Sequence, residues 1–327
     1  MCNLPEMRRG LFISARMYYA GGRKNLQRRM PMLEHLVTEK RNPASMQLDQ
    51  LPVLEIIRLM NQEDQKVVAA VERALPAVER VIEQAVCSMK AGGRIIYVGA
   101  GTSGRIGLLD AVECPPTFGL APERVVGVLA GGESQMFAKE EAEDSAELGR
   151  QAMERLALTG QDLVIGLAAS GRTPFVLGAV DYAAEVGAAT ACVVCNPGSE
   201  LAKHVKLPIE IDNGPEVLTG STRLKAGTSQ KMVCNMISTA TMVRLGKVYQ
   251  NLMVDVDVSN EKLYHRWLSI VQTAAGCTPE QAAALYEPAH HNAKAAICMF
   301  RRNIPYETAL AELEEKGGMV ADVLAGE

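Results

Sequence analysis

The chain has no apolar run that approaches the ~18–20 residues needed to span a bilayer, which argues against a membrane-spanning protein. It also lacks an excess of positive charge. A formal net charge of −4 removes the global signature of a nucleic-acid-binding protein. Its five histidines form no ligand cluster, and adjacent His290 and His291 cannot share a helix face. A continuous apolar core of the secretory-signal type is missing from the N-terminus. The eight cysteines are scattered, so the chain is expected to be reduced and cytoplasmic. Cys192 and Cys195 have redox spacing, but they sit in an apparent strand, where positions three apart point to opposite faces.

Charge is unevenly distributed. Residues 1–31 hold seven basic side chains (Arg8, Arg9, Arg16, Arg23, Lys24, Arg28, Arg29) against Glu6, which leaves about −10 for the rest. Arg-rich and acid-poor is the composition of a transit segment. The blander reading is preferred: a disordered extension, or translation from a start upstream of Met30 or Met32. The expected organisation is an extension over 1–31, a main domain over 32–262 and a helical subdomain over 263–327.

Within the main domain a helical pattern runs from Thr38 to Val86. Asp49 is placed to cap a first helix over Leu51–Asn61, and a second carries Val67, Val71, Leu75, Val78, Ile82 and Val86 on one face. Pro76 is expected to kink it or mark a boundary. Apolar runs at Arg94–Val98, Val125–Leu129, Asp162–Leu167, Thr190–Val194 and Leu207–Ile211 alternate with helical patterns. Continuous rather than alternating apolarity indicates parallel strands covered on both faces. The predicted fold class is therefore α/β. It is a doubly wound, five-stranded parallel sheet of flavodoxin-like type, with flanking N-terminal helices and a small C-terminal helical subdomain. A long helix is predicted over Thr228–Val248. In the C-terminal part an internal repeat offset by 27 aligns Glu280, Ala282, His290 and His291 with Glu307, Ala309, Gly317 and Gly318.

Two loops follow predicted strands and open helices: Gly99–Arg105 and Ala169–Pro174. Ligands of such sheets sit at the carboxyl ends of the strands. Glycine lets backbone approach a ligand, and hydroxyls with free N–H groups at a helix start suit a phosphate dianion. Gly99, Gly101 and Gly104 also satisfy the dinucleotide pattern, with Glu133 roughly where a ribose-binding acid is wanted. Thr102 and Ser103 in the variable positions, and the second hydroxyl loop at Ser170–Thr173, favour a terminal phosphate instead. A third hydroxyl-rich segment, Glu216–Lys225, adds Arg223 and Lys225. Glu113 precedes Pro115 and Pro116, which are expected to stop its helix and fix it one to two turns beyond the first loop. Glu140, Glu141, Glu143 and Asp144 form an acidic run from which spacing alone selects no member.

These segments resemble a known family. Thr38–Ser45, Gly99–Arg105, Asp110–Gly119, Ala168–Pro174, Cys195–Ser199, Gly214–Gln230 and Gly246–Val256 are similar, in order, to motifs of the N-acetylmuramic acid 6-phosphate etherases, which belong to the sugar isomerase (SIS) fold group. The resemblance implies cleavage of the D-lactyl ether of N-acetylmuramic acid 6-phosphate to N-acetylglucosamine 6-phosphate and D-lactate in amino-sugar recycling. It implies a cytoplasmic homodimer with sites near the subunit interface, no metal or organic cofactor, and no nucleic-acid or membrane partner. Glu113 matches the family's general acid and Glu143 its C2 base, with Glu141 the alternative. Thr102, Ser103, Gly104, Ser170, Gly171 and Thr173 match the phosphate-binding loops. Glu216, Ser221, Thr222 and Lys225 match the sugar pocket. The chain departs from the pattern at Val112, where a small hydroxyl residue is usual, at Ala142 in place of glycine, and in a stretch before Glu143 that is one residue short. The same fold is shared by a sugar-phosphate sensor related to the glucokinase regulatory protein and by sugar-phosphate isomerases. The sensor has two SIS domains where this chain has room for one, and an isomerase leaves the other segments unexplained.

Overall fold

A computed structural model describes residues 35–132, 142–256, 258 and 260–325. The N-terminal extension and Glu133, Glu140 and Glu141 lie outside the described residues.

Five parallel strands build the sheet: β1 (Ile95–Gly99), β2 (Val125–Leu129), β3 (Leu163–Ala168), β4 (Ala189–Val194) and β5 (Leu207–Glu210). Their order is β2-β1-β3-β4-β5, the doubly wound arrangement expected. Successive residues of β1 enter different cores. Ile95 and Tyr97 pack with α1 (Val53–Lys90), α2 (Gly101–Phe118) and α6 (Lys225–Arg244). Ile96 and Val98 pack with α3 (Ala146–Arg155), α4 (Pro174–Val186) and α5 (Glu200–His204). Burial on both faces is why the strands read as unbroken apolar runs.

The N-terminal helices differ from expectation. Three short 3-10 turns occupy Val37–Glu39, Pro43–Ser45 and Leu48–Gln50, and Asp49 lies in the last of these rather than capping a helix. One uninterrupted α1 follows with Pro76 inside it. An interior proline costs roughly 3 kcal/mol. Here the stripe from Val67 to Met89, buried against the sheet on both sides of Pro76, outweighs that cost.

The two prolines after Glu113 do not stop α2 either. The helix continues to Phe118, whose ring enters the core, and ends where Gly119 (φ 59°) donates its N–H to the Pro115 carbonyl. Conversely, α6 stops at Arg244, earlier than its apolar pattern suggests. A turn at Gly246 leads into the hairpin β6 (Val248–Tyr249) and β7 (Leu252–Met253).

The C-terminal helices α7 (Glu261–Ala275), α8 (Pro279–Leu285), α9 (Ala293–Arg302), α10 (Tyr306–Glu315) and α11 (Val320–Leu324) enclose their own core around Trp267. The internal repeat has a backbone counterpart there. His290 and His291 (φ 48° and 63°) turn the chain between α8 and α9. Gly317 and Gly318 (φ 61° and 81°) do so between α10 and α11.

Candidate functional site

The first loop leaves β1 and enters α2 without a linker. Gly101 holds φ 53°, and a Cβ on Gly104 would lie 2.5 Å from the Gly99 carbonyl oxygen. Gly104 thus lets helix and strand touch, and its N–H is already bonded to the Ala100 carbonyl. The N–H groups of residues 101–103 precede that first intrahelical bond, which is the arrangement that favours an anion. Thr102 is half-buried, and Ser103 is buried with its hydroxyl donated to Gln230 Oε1 at 2.8 Å.

The second loop follows β3. Ser170 is half-buried, while Gly171 (φ 67°) packs so tightly that a Cβ would sit 2.3 Å from Ser199 Oγ. Thr173 immediately precedes α4, and its hydroxyl donates to Glu143 Oε1 at 3.3 Å. The Glu143 carbonyl accepts the Phe175 N–H at 3.0 Å. The chain before α3 is thereby clamped to the start of α4, with a half-buried carboxylate beside the loop.

The third segment wraps the start of α6. A Cβ on Gly227 would lie 3.6 Å from Thr102 Cγ2 and 3.5 Å from the Thr222 carbonyl, so this segment borders the first loop. Ala226 shares a small core with Ala169 and Cys195, which brings in the second loop as well. Ser221 and Thr222 are half-buried. Glu216 and Lys225 point inward instead. Each is 1% exposed. Glu216 accepts the N–H groups of Lys225 and Ala226 at 3.1 and 2.9 Å, a negative charge at a helix N-terminus. Burial pushes its carboxyl above the ordinary range, against the pull of those N–H groups and the Lys225 ammonium. Lys225 Nζ binds Glu63 Oε2 at 2.7 Å. Burial pushes Glu63 upward, but Lys225, Lys66 and Asn42 outweigh it and leave its carboxyl below the ordinary value.

Sequence reasoning assigned no role to several residues now found at this edge. Asn196 bonds Thr38 Oγ1 and the Ala169 carbonyl, and Asn42 bonds the Pro215 carbonyl. The Thr38–Ser45 segment is thus seated beside the second and third segments. Glu39 brings its carboxylate against Gly220 at the tip of the third, so that a Cβ there would lie 3.1 Å from Oε2. The order of the family-like segments was the signal for this neighbourhood, but it named no side chain.

Glu113 is elsewhere. Gly104 packs on Leu129 at the end of β2 and Leu108 on Gly127 at its middle, so α2 runs back along the sheet. Ten residues separate Ser103 from Glu113, about 15 Å of helix, which places Glu113 about two turns beyond the end of the loop at Arg105. Glu113 is exposed at the opposite edge. Asp110, one turn earlier, anchors α2 to α6 through Asn235 (2.6 Å) and Ser238 (3.1 Å). Cys192 and Cys195 enter different cores, and burial pushes both thiols to about 12. Among the described residues no helix is long and apolar enough to cross a membrane.

Comparison with known proteins gives these features a context. The model for the glucokinase regulatory protein N-terminal SIS domain matches residues 77–184, and the SIS domain model matches 142–240. The N-acetylmuramic acid 6-phosphate etherase 2 of Lactiplantibacillus plantarum is 53% identical over 88% of this chain and 98% of its own length. The N-acetylmuramic acid 6-phosphate etherase of Cutibacterium acnes is 56% identical over 86% and 93%. The chain belongs to the N-acetylmuramic acid 6-phosphate etherase family. Membership sets aside the dinucleotide reading of the first loop. Beyond the sheet, residues 250–316 of this etherase-family chain match the model for the C-terminal lid domain of glucokinase regulatory protein. Among solved structures, a phosphoheptose isomerase from Francisella tularensis aligns over 59% of this chain and 100% of its own, at 14% identity and TM-score 0.45.

Proposed function

We propose that the chain cleaves the D-lactyl ether at C3 of N-acetylmuramic acid 6-phosphate, releasing D-lactate and N-acetylglucosamine 6-phosphate. Etherase-named relatives at 49–56% identity support this substrate. The observation that carries the site is the meeting of three hydroxyl-bearing segments with Glu143 at the carboxyl edge of the sheet. The 6-phosphate binds at the start of α2 and the Ser170–Thr173 loop. Thr102, Ser103 and Ser170 donate to it, Thr173 joins them when its hydroxyl turns from Glu143, and Gly104 and Gly171 allow the close packing that presents them. Ser221 and Thr222 face the sugar. Glu216 and Lys225 act on it from inside, by closing their loop.

In the open-chain sugar the C1 aldehyde acidifies the C2 proton. Glu143 removes it, the C2–H electron pair forms the C2–C3 double bond, and the C3–O pair leaves on the lactyl oxygen as Glu113 protonates it. Water then adds to C3 as Glu113 takes its proton, and Glu143 gives a proton back to C2, which restores both carboxyls to their starting states. Positioned acid and base groups of this kind contribute about 10²–10⁴-fold each.

Glu113 lies too far along α2 to reach a phosphate-anchored sugar in its own chain. It comes from a second copy, as the expected homodimer allows. Leu109 and Val112, 51% and 54% exposed, accompany Glu113 on this helix and supply apolar surface for that contact. Residues 263–327 act as a lid or dimer element.

D-lactate release by the purified protein tests the activity. Glu113→Gln and Glu143→Gln should each lose at least about a hundredfold. Glu143→Gln should also abolish solvent deuterium entry at C2. Refolding the two variants together should restore about a quarter of wild-type activity, because half the dimers then hold one intact site of two. No recovery in a mixture of confirmed heterodimers would mean that both carboxylates act within one chain.

A further inference from the structure

We infer that Gln230 is a positioning residue that controls the hydroxyl proton of Ser103 and thereby sets the affinity for the phosphate. The inference rests on the reading of Ser103 as a phosphate ligand. Gln230 is fully buried on α6. Its Nε2 donates to the Val193 carbonyl of β4 at 3.3 Å. A carbonyl only accepts, so this bond fixes which end of the amide carries the nitrogen. The oxygen is left facing Ser103 at 2.8 Å, and an amide oxygen also only accepts. Ser103 must therefore be the donor, with its proton directed away from the ligand side and only its lone pairs left for other partners.

A phosphate dianion presents acceptors and no proton at neutral pH. To bind it, Ser103 has to withdraw its hydroxyl proton from Gln230. That exchange leaves Gln230 Oε1 buried without a donor, a costly state. Sugar-phosphate binding is weakened by the exchange, while the N–H groups of residues 101–103 are unaffected. Gln230 thus holds phosphate affinity below what the loop could reach. It also keeps Ser103 in one rotamer when the site is empty. The chemical step at C2 and C3 lies away from this pair, so the effect belongs in substrate and product binding, not in turnover.

The test compares Gln230→Met, Gln230→Glu, Ser103→Ala and the double variant Ser103→Ala/Gln230→Met. Product affinity is read by calorimetry with N-acetylglucosamine 6-phosphate, and KM and kcat by D-lactate release. Gln230→Met removes the acceptor at similar volume, so it should lower Kd and KM roughly fivefold, about what one ordinary hydrogen bond is worth. Its kcat should stay within about twofold, because the barrier is not touched. Gln230→Glu offers Ser103 a stronger, charged acceptor and should raise both constants. Ser103→Ala should raise Kd, and in that background Gln230→Met should no longer tighten binding. If Ser103→Ala leaves Kd unchanged, the phosphate role of Ser103 fails and takes the inference with it. If Ser103→Ala weakens binding but Gln230→Met does not tighten it, the phosphate role stands and the inference is overturned. A role limited to packing would lower the melting temperature of both Gln230 variants and leave Kd and KM where they were.

Discussion

The two edges of the sheet each bury charge, but they connect different things. At the amino edge, Asp162 accepts the backbone N–H, Nε and Nη2 of Arg94 at 2.9, 3.0 and 2.8 Å, and the Thr159 N–H at 2.9 Å. All these partners come from the approaches to β1 and β3, so the pair staples two adjacent strands and nothing else. At the carboxyl edge, Glu63 from α1 reaches Lys225 at the start of α6, whose N–H in turn binds Glu216. That network closes the loop from 216 to 226 and ties it to Asn42. One edge spends its buried charge on the scaffold. The other spends it on the shape of a hydroxyl-bearing loop. Charges at the amino edge should therefore govern stability alone, and charges at the carboxyl edge both stability and substrate binding.

The largest effect expected from this contrast is that of Lys225→Met. It strips Glu63, 3% exposed, of its buried charged partner and leaves the exposed Lys66 and the Asn42 side chain. Breaking a buried pair from one side costs about 3–5 kcal/mol. Lys66 should hold the loss near the lower figure. KM should rise as the loop from 216 to 226 loosens. Adding Glu63→Gln removes the stranded charge and should recover most of the stability, with KM still raised. Denaturant unfolding and D-lactate kinetics on the same preparations decide the matter. A KM equal to wild type in the well-folded double variant would make the two edges equivalent and end the distinction.

Asp162→Asn is the matching test at the amino edge. It should cost about 2–3 kcal/mol through weakened bonds to Arg94 and Thr159, with KM unchanged. The pH dependence has a definite sign. Burial pushes the Asp162 carboxyl up, but the Arg94 guanidinium and the Thr159 and Arg94 N–H groups pull it further down, to a net value below the ordinary one. A depressed folded value means that the stabilisation is complete above the unfolded carboxylate pKa, near 3.9. It is lost as pH falls through the lower folded value. Wild-type stability should thus fall in this acid range more steeply than that of Asp162→Asn.

How much of this was legible in the sequence follows from the range of the interactions. The strands were legible because burial on both faces leaves runs such as Leu163–Ala168 uniformly apolar, and the half-buried edge strand Val125–Leu129 has the expected ends. The bounds of α4 were legible from Pro174 at its first turn and Gly187 at its end, both local signals. The course of α2 was not, because the burial of Phe118 and the cap at Gly119 override the local signal of Pro115 and Pro116. The hydroxyl loops are contiguous, so the residue types alone marked them. The inward turn of Lys225 depends on Glu63, 162 residues away, and the bond from Ser103 on Gln230, 127 residues away. No spacing rule reaches that far. The separation of Glu113 from Ser103 was implicit in the helical rise between them, because Pro115 and Pro116 lie beyond Glu113.

The smallest effect should come from an exposed pair near the amino edge. His204 ends α5 just before β5 and lies 2.7 Å from Asp181 on α4 and 3.3 Å from Glu200. The Asp181 carboxylate, opposed by partial burial and helped by Glu200, raises the imidazole above its ordinary value. A raised folded value means the opposite of the Asp162 case. The stabilisation is complete below the unfolded histidine pKa, near 6.5. It disappears as pH rises through the folded value. His204 is one-third exposed, so solvent screens the pair and it is worth under about 1 kcal/mol. His204→Gln should remove a small decline in melting temperature on the neutral side of pH 6.5 and leave KM untouched. Parallel melting profiles for wild type and variant would show that this pair contributes nothing. A change in KM would extend the reach of the carboxyl-edge site to a surface that the fold assigns to the scaffold.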